Sequence, residues 1–267
     1  REHLRMALTY GKYLEIDKLL DLQNPQSSPA EHDEMLFIVI HQTYELWFKL
    51  VLHELEKVCR DFSANDLFAA IHTWKRLRTV MKTLVGQLDI LETMTPMSFT
   101  SFRDRLETSS GFQSAQFREV EFLLGFKRPE MMKPCEGDAA GHAKIAARLK
   151  SRTVIDHFYD FLEHRGVEIP HDLRDKPVEQ PTRPSDAAQE GIYQLYRSGA
   201  HNDVVILFEL MTDFDEGLQE WRYRHVKVVE RTIGQKHGTG GSLGVEFLKR
   251  SLFQPVFPDL WAIRHRL

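Results

Sequence analysis

Apolar residues in this chain return at steps of three and four rather than two, and that property limits the possible folds more than any other. Leu67, Ile71, Trp74, Leu77, Met81, Leu84, Leu88 and Leu91 fall on one stripe of a helix of roughly seven to eight turns at 3.6 residues per turn. The stretch LFIVIHQTYELWFKLVL is apolar nearly all round, so the helix predicted over residues 29–61 must be buried on more than one side. Glu31, Asp33 and Glu34 sit in its first turns, where the helix dipole favours negative charge. A third long helix is predicted over residues 202–233, with Gly234 as a natural stop. Shorter helices fit residues 98–106, 114–124, 141–165 and 187–197, while the Pro-rich 177–184 and Gly-rich 234–244 read as loops. No convincing strand remains, and no repeat or low-complexity tract is found. The expected fold is all-α: a single helical domain over residues 1–267 with long buried helices.

A net charge of -4 gives no general attraction for phosphate, so nucleic acid is a poor partner and a small molecule a better one. The balance of 42% hydrophobic and 28% charged residues is that of a soluble globular protein. The most continuous apolar run, residues 35–40, is about a third of a bilayer span, and the start lacks the basic, apolar and small-residue blocks of a signal peptide. A cytoplasmic location without membrane attachment is expected. Cys59 and Cys135 form neither a CxxC pair nor a CxxCH haem-attachment site, so any haem would be held non-covalently.

Thirteen histidines raise the question of a metal. The His-Glu-x-x-His pattern is absent, and the one Glu-x-x-His match, Glu168 to His171, is interrupted by Pro170, which disfavours a carboxylate-bridged site. What remains is iron held by one histidine, which haem permits because the porphyrin supplies four donors. His225 is a candidate, in WRYRHVKVVERTIG, where Trp221, Val228 and Val229 make an apolar wall; a lone histidine on such a face is more often hydrogen-bonded packing. His41 lies one turn after Phe37, so the two rings share a face that either roofs a ligand pocket or fills a core.

Arg103, in SFRDRLETSSGFQS, stands between a short helix and a Ser-rich turn. Its guanidinium could grip a carboxylate through two parallel hydrogen bonds, or pair with Asp104 or Glu107 at the surface. The loop GTGGSLG, residues 238–244, could bring backbone N–H groups and the Thr239 hydroxyl to an anion, or be a flexible surface loop. It is not a dinucleotide fingerprint, because the third glycine falls at Leu243 and no strand precedes it.

LTYGKYLEIDKLL, HDEMLFIVIHQTYELWFKLVLHELE, LETMTPMSFTSFRDRLETSSGFQSAQFREVEFLLG, WRYRHVKVVERTIG and GTGGSLGVEFL occur in this order. Together they closely resemble the tryptophan 2,3-dioxygenase family over most of the chain. The resemblance implies a helical homotetramer enclosing one haem b per subunit, active with Fe(II). It would convert L-tryptophan and O2 to N-formylkynurenine, the first step of the kynurenine pathway. It further implies that His225 is the axial iron ligand and that His41 is the distal histidine that accepts or orients the indole N–H. Phe37 and Phe99 would line the indole pocket, Arg103 would bind the substrate carboxylate, and Ser110 would lie at the haem edge. Thr239 and its loop would contact the ammonium and carboxylate and close over the site. Tyr10, Tyr13 and Leu14, within an N-terminal segment of residues 1–28, would complete the pocket of a neighbouring subunit. Three positions depart from the family pattern: Leu243 where a serine is common, His237 where arginine is common, and Phe99 where some relatives have tyrosine.

Overall fold

The computed structural model describes residues 7–234, 236 and 245–267. Among them there are helices and no strands. In chain order the α-helices are α1 (Tyr10–Leu14), α2 (Ile16–Leu20), α3 (His32–Ser63), α4 (Leu67–Leu91), α5 (Pro96–Arg103), α6 (Ala115–Leu123), α7 (Ala139–Leu149) and α8 (Val154–Glu163). They continue with α9 (His171–Arg174), α10 (Asp186–Arg197), α11 (Asn202–Ile233), α12 (Val245–Lys249) and α13 (Pro258–Ala262). The all-α expectation holds, and the three long helices stand where the periodicity places them.

The long helices form the frame. Helix α4 lies along α11, and α3 packs against α4, α6 and α8. The stripe from Leu67 to Leu91 is buried except at Ile71, which is partly buried, and Trp74 and Leu77 are fully enclosed. Trp74 meets the edges of Phe214 and Phe257 at 5.3 and 5.5 Å. At Gly217 the two helices come so close that a β-carbon would lie 2.8 Å from Met81 Cγ, which explains a glycine inside a helix. By length and composition α3 could cross a membrane; it packs against α4, α6 and α8, but the expectation that its apolar centre is buried on more than one side is only partly met, since Met35, Val39 and Leu46 are exposed.

Helix ends follow local chemistry. Asn65, at φ 53°, reverses the chain after α3, and the Asp66 carboxylate then accepts from Ala69 N at 3.0 Å to cap α4. Helix α3 begins at His32, three residues later than the predicted start at position 29. The helix predicted over 141–165 is in fact two. The first ends at Leu149, and Thr153 starts α8 with a capping box: its hydroxyl accepts from Asp156 N at 3.2 Å, while the Asp156 carboxylate accepts from Thr153 N at 2.7 Å. Helix α5 starts at Pro96, capped by Thr95, and residues 104–106 tighten into a 3-10 turn.

Buried Asp215 on α11 ties down the C-terminal segment, accepting from Val256 N, Phe257 N and Trp261 Nε1 at 3.1, 2.9 and 3.0 Å. Lys127 does similar work elsewhere, its ammonium donating to the carbonyls of Leu149, Ser151 and Val178.

Candidate active site

A cavity of about 530 Å³ opens between α3, α5, α6 and α11. Its size is that of a small-molecule or cofactor pocket. The sequence separates the contributing helices widely, but each presents one face inward for the reason already visible in its pattern. Helix α3 is apolar all round, so Phe37 and His41 can face the cavity while Leu55 and Val58 fill the core.

His41 and Phe37 share a helix face, their rings 4.1 Å apart. Phe37 continues into a cluster with Phe99 and Phe102 at 5.7 and 5.6 Å, and the latter two meet edge-on at 5.4 Å. His41 Nδ1 lies 2.7 Å from the Phe37 carbonyl, which can only accept, so Nδ1 carries the proton and Nε2 is left as an acceptor. Burial lowers the His41 pKa, against a partial rise from the Phe37 carbonyl and Glu45, so the ring is neutral at pH 7. The ring lies deep in the protein yet keeps open surface, because that surface faces the cavity.

His225 approaches from α11. Burial pushes its pKa down to about 4, with His41 and Arg118 adding repulsion. Trp221, one turn earlier, stacks on it, and Val228 and Val229 line the same cavity wall. No group of three or more metal-binding side chains occurs among the described residues. The protein therefore presents one neutral imidazole from each of two helices to an apolar space. That donor set suits a metal that arrives with its other ligands already in place.

Arg103, at the end of α5, is half-buried and lines the cavity, and so does Ser110. Ser110 caps a short 3-10 turn over Gly111–Gln113, with Gln113 Oε1 accepting from its N–H at 3.2 Å. Six residues singled out in the sequence, Phe37, His41, Phe99, Arg103, Ser110 and His225, thus meet at one cavity. Tyr10, Tyr13 and Leu14 do not: they lie on α1, exposed at 76%, 71% and 42%, away from the cavity of their own chain. Thr239, His237 and Leu243 lie outside the described residues.

A charged cluster that the sequence pattern does not reveal lies on the same cavity. Glu121 of α6 is surrounded by Arg118, Arg128 and Arg222. In FREVEFLL the i, i+3 spacing of Arg118 and Glu121 reads as a solvated helix edge. The signal against that reading is the apolar run Phe122 to Leu124 that follows directly.

A family model described as Tryptophan 2,3-dioxygenase matches residues 1–137 and 182–267. The chain is 48% identical over 261 residues to a tryptophan 2,3-dioxygenase of Anaeromyxobacter sp. (strain K), covering 98% of this chain and 97% of that one. It is 49% identical over 262 residues to the enzyme of that name from Herpetosiphon aurantiacus, covering 98% and 99%. With the Saccharopolyspora erythraea protein of the same name it shares 42% over 262 residues, covering 98% and 93%.

Proposed function

The chain belongs to the tryptophan 2,3-dioxygenase family, and from that premise we propose that its cavity holds haem b and L-tryptophan together and opens the indole ring with O2, giving N-formylkynurenine. This is the oxidative first step of tryptophan catabolism, and the family is haem-dependent. The observation that carries the reading is the pair His41 and His225, both neutral, facing one apolar cavity from α3 and α11 with Arg103 beside them.

His225 would hold the haem iron. With its pKa near 4 it keeps a lone pair for iron at neutral pH, and no hydrogen bond competes for the ring among the described residues. Haem would supply the redox-active iron, in the Fe(II) form, at which O2 is activated. The remaining work is positioning. His41 offers Nε2 as an acceptor for the indole N–H, because Nδ1–H is committed to the Phe37 carbonyl. Phe37 and Phe99 supply apolar faces for the indole ring, and Ser110 stands at the haem edge. Arg103 binds the substrate carboxylate, which separates an amino acid from free indole. Thr239, which lies outside the described residues, is in this reading a further contact for the ammonium and carboxylate.

The same reading makes the enzyme a cytoplasmic homotetramer, with one haem per subunit and no nucleic-acid or membrane partner. Residues 1–28, part of the single domain of residues 1–267, then contribute to a neighbour's pocket. Exposure of Tyr10, Tyr13 and Leu14 in the isolated chain supports that exchange.

Haem titration of the wild type and of His225→Ala tests the reading. The wild type should take up one equivalent and His225→Ala should fail to retain it. A variant with full haem and a histidine-ligated spectrum would move the ligand elsewhere.

A further inference from the structure

No residue of α1 or α2 is buried, yet the stretch that joins them to α3 is held by two side chains of α3. Glu34, in the first turn of α3, is 1% exposed. One of its carboxylate oxygens accepts from Gln26 N at 2.6 Å and the other from Ser27 N at 2.9 Å, and the Ser27 hydroxyl in turn accepts from Glu31 N at 2.9 Å. About two turns further along α3, Gln42 uses both ends of its amide. Its Nε2 donates to the Leu22 carbonyl at 2.9 Å, and its Oε1 accepts from Gln23 Nε2 at 2.6 Å. Gln23 Nε2 also donates to the Leu19 carbonyl at 3.0 Å, which carries the tie into α2.

A carboxylate in the first turn of a helix ordinarily faces that helix's own free N–H groups or water. Glu34 instead gives both oxygens to N–H groups outside the helix. Moving residues 26 and 27 away would strand a buried carboxylate without these donors, which is costly. The root of the N-terminal segment is therefore fixed on α3, while the helices beyond it hold apolar side chains out to solvent. Leu8, Tyr10, Tyr13 and Leu20 are exposed at 70%, 76%, 71% and 70%. Thr9 caps α1, accepting from Lys12 N at 3.4 Å, so Tyr10 and Tyr13 stand on formed helix rather than on loose chain. A cluster of exposed apolar side chains of this kind marks a contact surface. Gln42 also directly follows His41, whose ring lines the cavity, so the anchor of this segment and that imidazole share one turn of α3.

We propose that Glu34 and Gln42 are positioning residues that aim the N-terminal helices of one subunit into the pocket of its neighbour. The proposal rests on the reading above in which residues 1–28 reach a second copy of the chain. A segment fixed at its root loses less freedom when it docks, so the neighbour's pocket is completed more readily. Each pocket is then completed by helices anchored beside the His41 of another subunit.

Hydrogen exchange and steady-state kinetics on the full-length, haem-loaded protein test this. In the wild type, amides of residues 10–20 should exchange more slowly than in a free peptide of the same sequence. Glu34→Gln should speed that exchange and raise KM for L-tryptophan about tenfold, the effect of one charge-assisted hydrogen bond. Gln42→Leu should act in the same direction by a smaller factor. Neither should move kcat, haem content or exchange within α4, a split that a general loss of stability does not produce. Should Glu34→Gln fail to fold, Gln42→Leu and Gln23→Leu, at half-buried positions, carry the same comparison. Unaltered exchange and KM in the folded variants would overturn the proposal and leave the exchanged segment in place, aimed by other contacts. Faster exchange with unaltered KM would make the ties purely structural and also overturn it. Residues 10–20 exchanging in the wild type as fast as in the free peptide would remove the exchanged segment itself, and the proposal with it.

Discussion

Trp221 and His225 stand one helical turn apart on α11 with their ring planes within 3° of parallel and their centroids 5.2 Å apart. Trp221 is held in turn by Phe117 at 5.0 Å, Tyr44 at 6.1 Å and Phe48 at 6.2 Å, from α6 and α3. The direction of the His225 imidazole is therefore fixed by packing that involves three helices. Trp221→Ala should cost about 3–5 kcal/mol of stability in denaturant unfolding and weaken haem binding, whereas Trp221→Phe should cost less and keep the stack. A folded Trp221→Ala with unaltered haem affinity would show that His225 is oriented without it.

Arg103→Ala should raise KM for L-tryptophan while leaving haem content unchanged. A charge-assisted contact of about 1.5–3 kcal/mol corresponds to roughly ten- to a hundredfold in affinity. Steady-state kinetics with haem quantified in the same samples decides it, and unchanged kinetics would place the carboxylate contact on another residue.

His41→Ala should slow turnover without abolishing it. The ring is neutral and one nitrogen is committed to the Phe37 carbonyl, so it positions the indole N–H rather than acting as an obligatory base. Complete inactivity with haem and tryptophan still bound would assign it a larger role.

Glu121 sets an acid limit on the cluster around it. Burial alone would raise its pKa, but Arg118, Arg128 and Arg222 more than offset this and hold it below the ordinary value. The unfolded chain then takes up the proton first as pH falls. The stabilisation is fully present above the unfolded value of about 4.3 and is lost as pH drops through the lowered folded value. Apoprotein Tm should fall steeply below about pH 4 in the wild type. Glu121→Gln should start lower at neutral pH and fall less steeply; parallel curves would contradict the coupling.

Much of the frame was legible because the period is strong. The stripe from Leu67 to Leu91 and the apolar centre of α3 point to long helices packed on one another, although Met35, Val39 and Leu46 leave one side of α3 exposed. The break at Thr153 is hidden because apolar residues continue on both sides of it, although the Thr-x-x-Asp capping box marks the spot. The site was legible differently. Nothing in the periodicity says that His41, Arg103 and His225 share a cavity, since they come from three helices, and only the family resemblance linked them. The arginine cluster escaped because Arg118 and Glu121 look like a solvated pair until Arg128 and Arg222 are brought to them by the fold.

The most direct test is turnover by haem-loaded, ferrous protein mixed anaerobically with L-tryptophan and then exposed to oxygen, with O2 uptake and the near-ultraviolet absorbance of N-formylkynurenine followed together. Product should appear in step with O2, one for one, in the wild type and not at all in His225→Ala. A wild-type haem spectrum that responds to tryptophan but yields no product would contradict it.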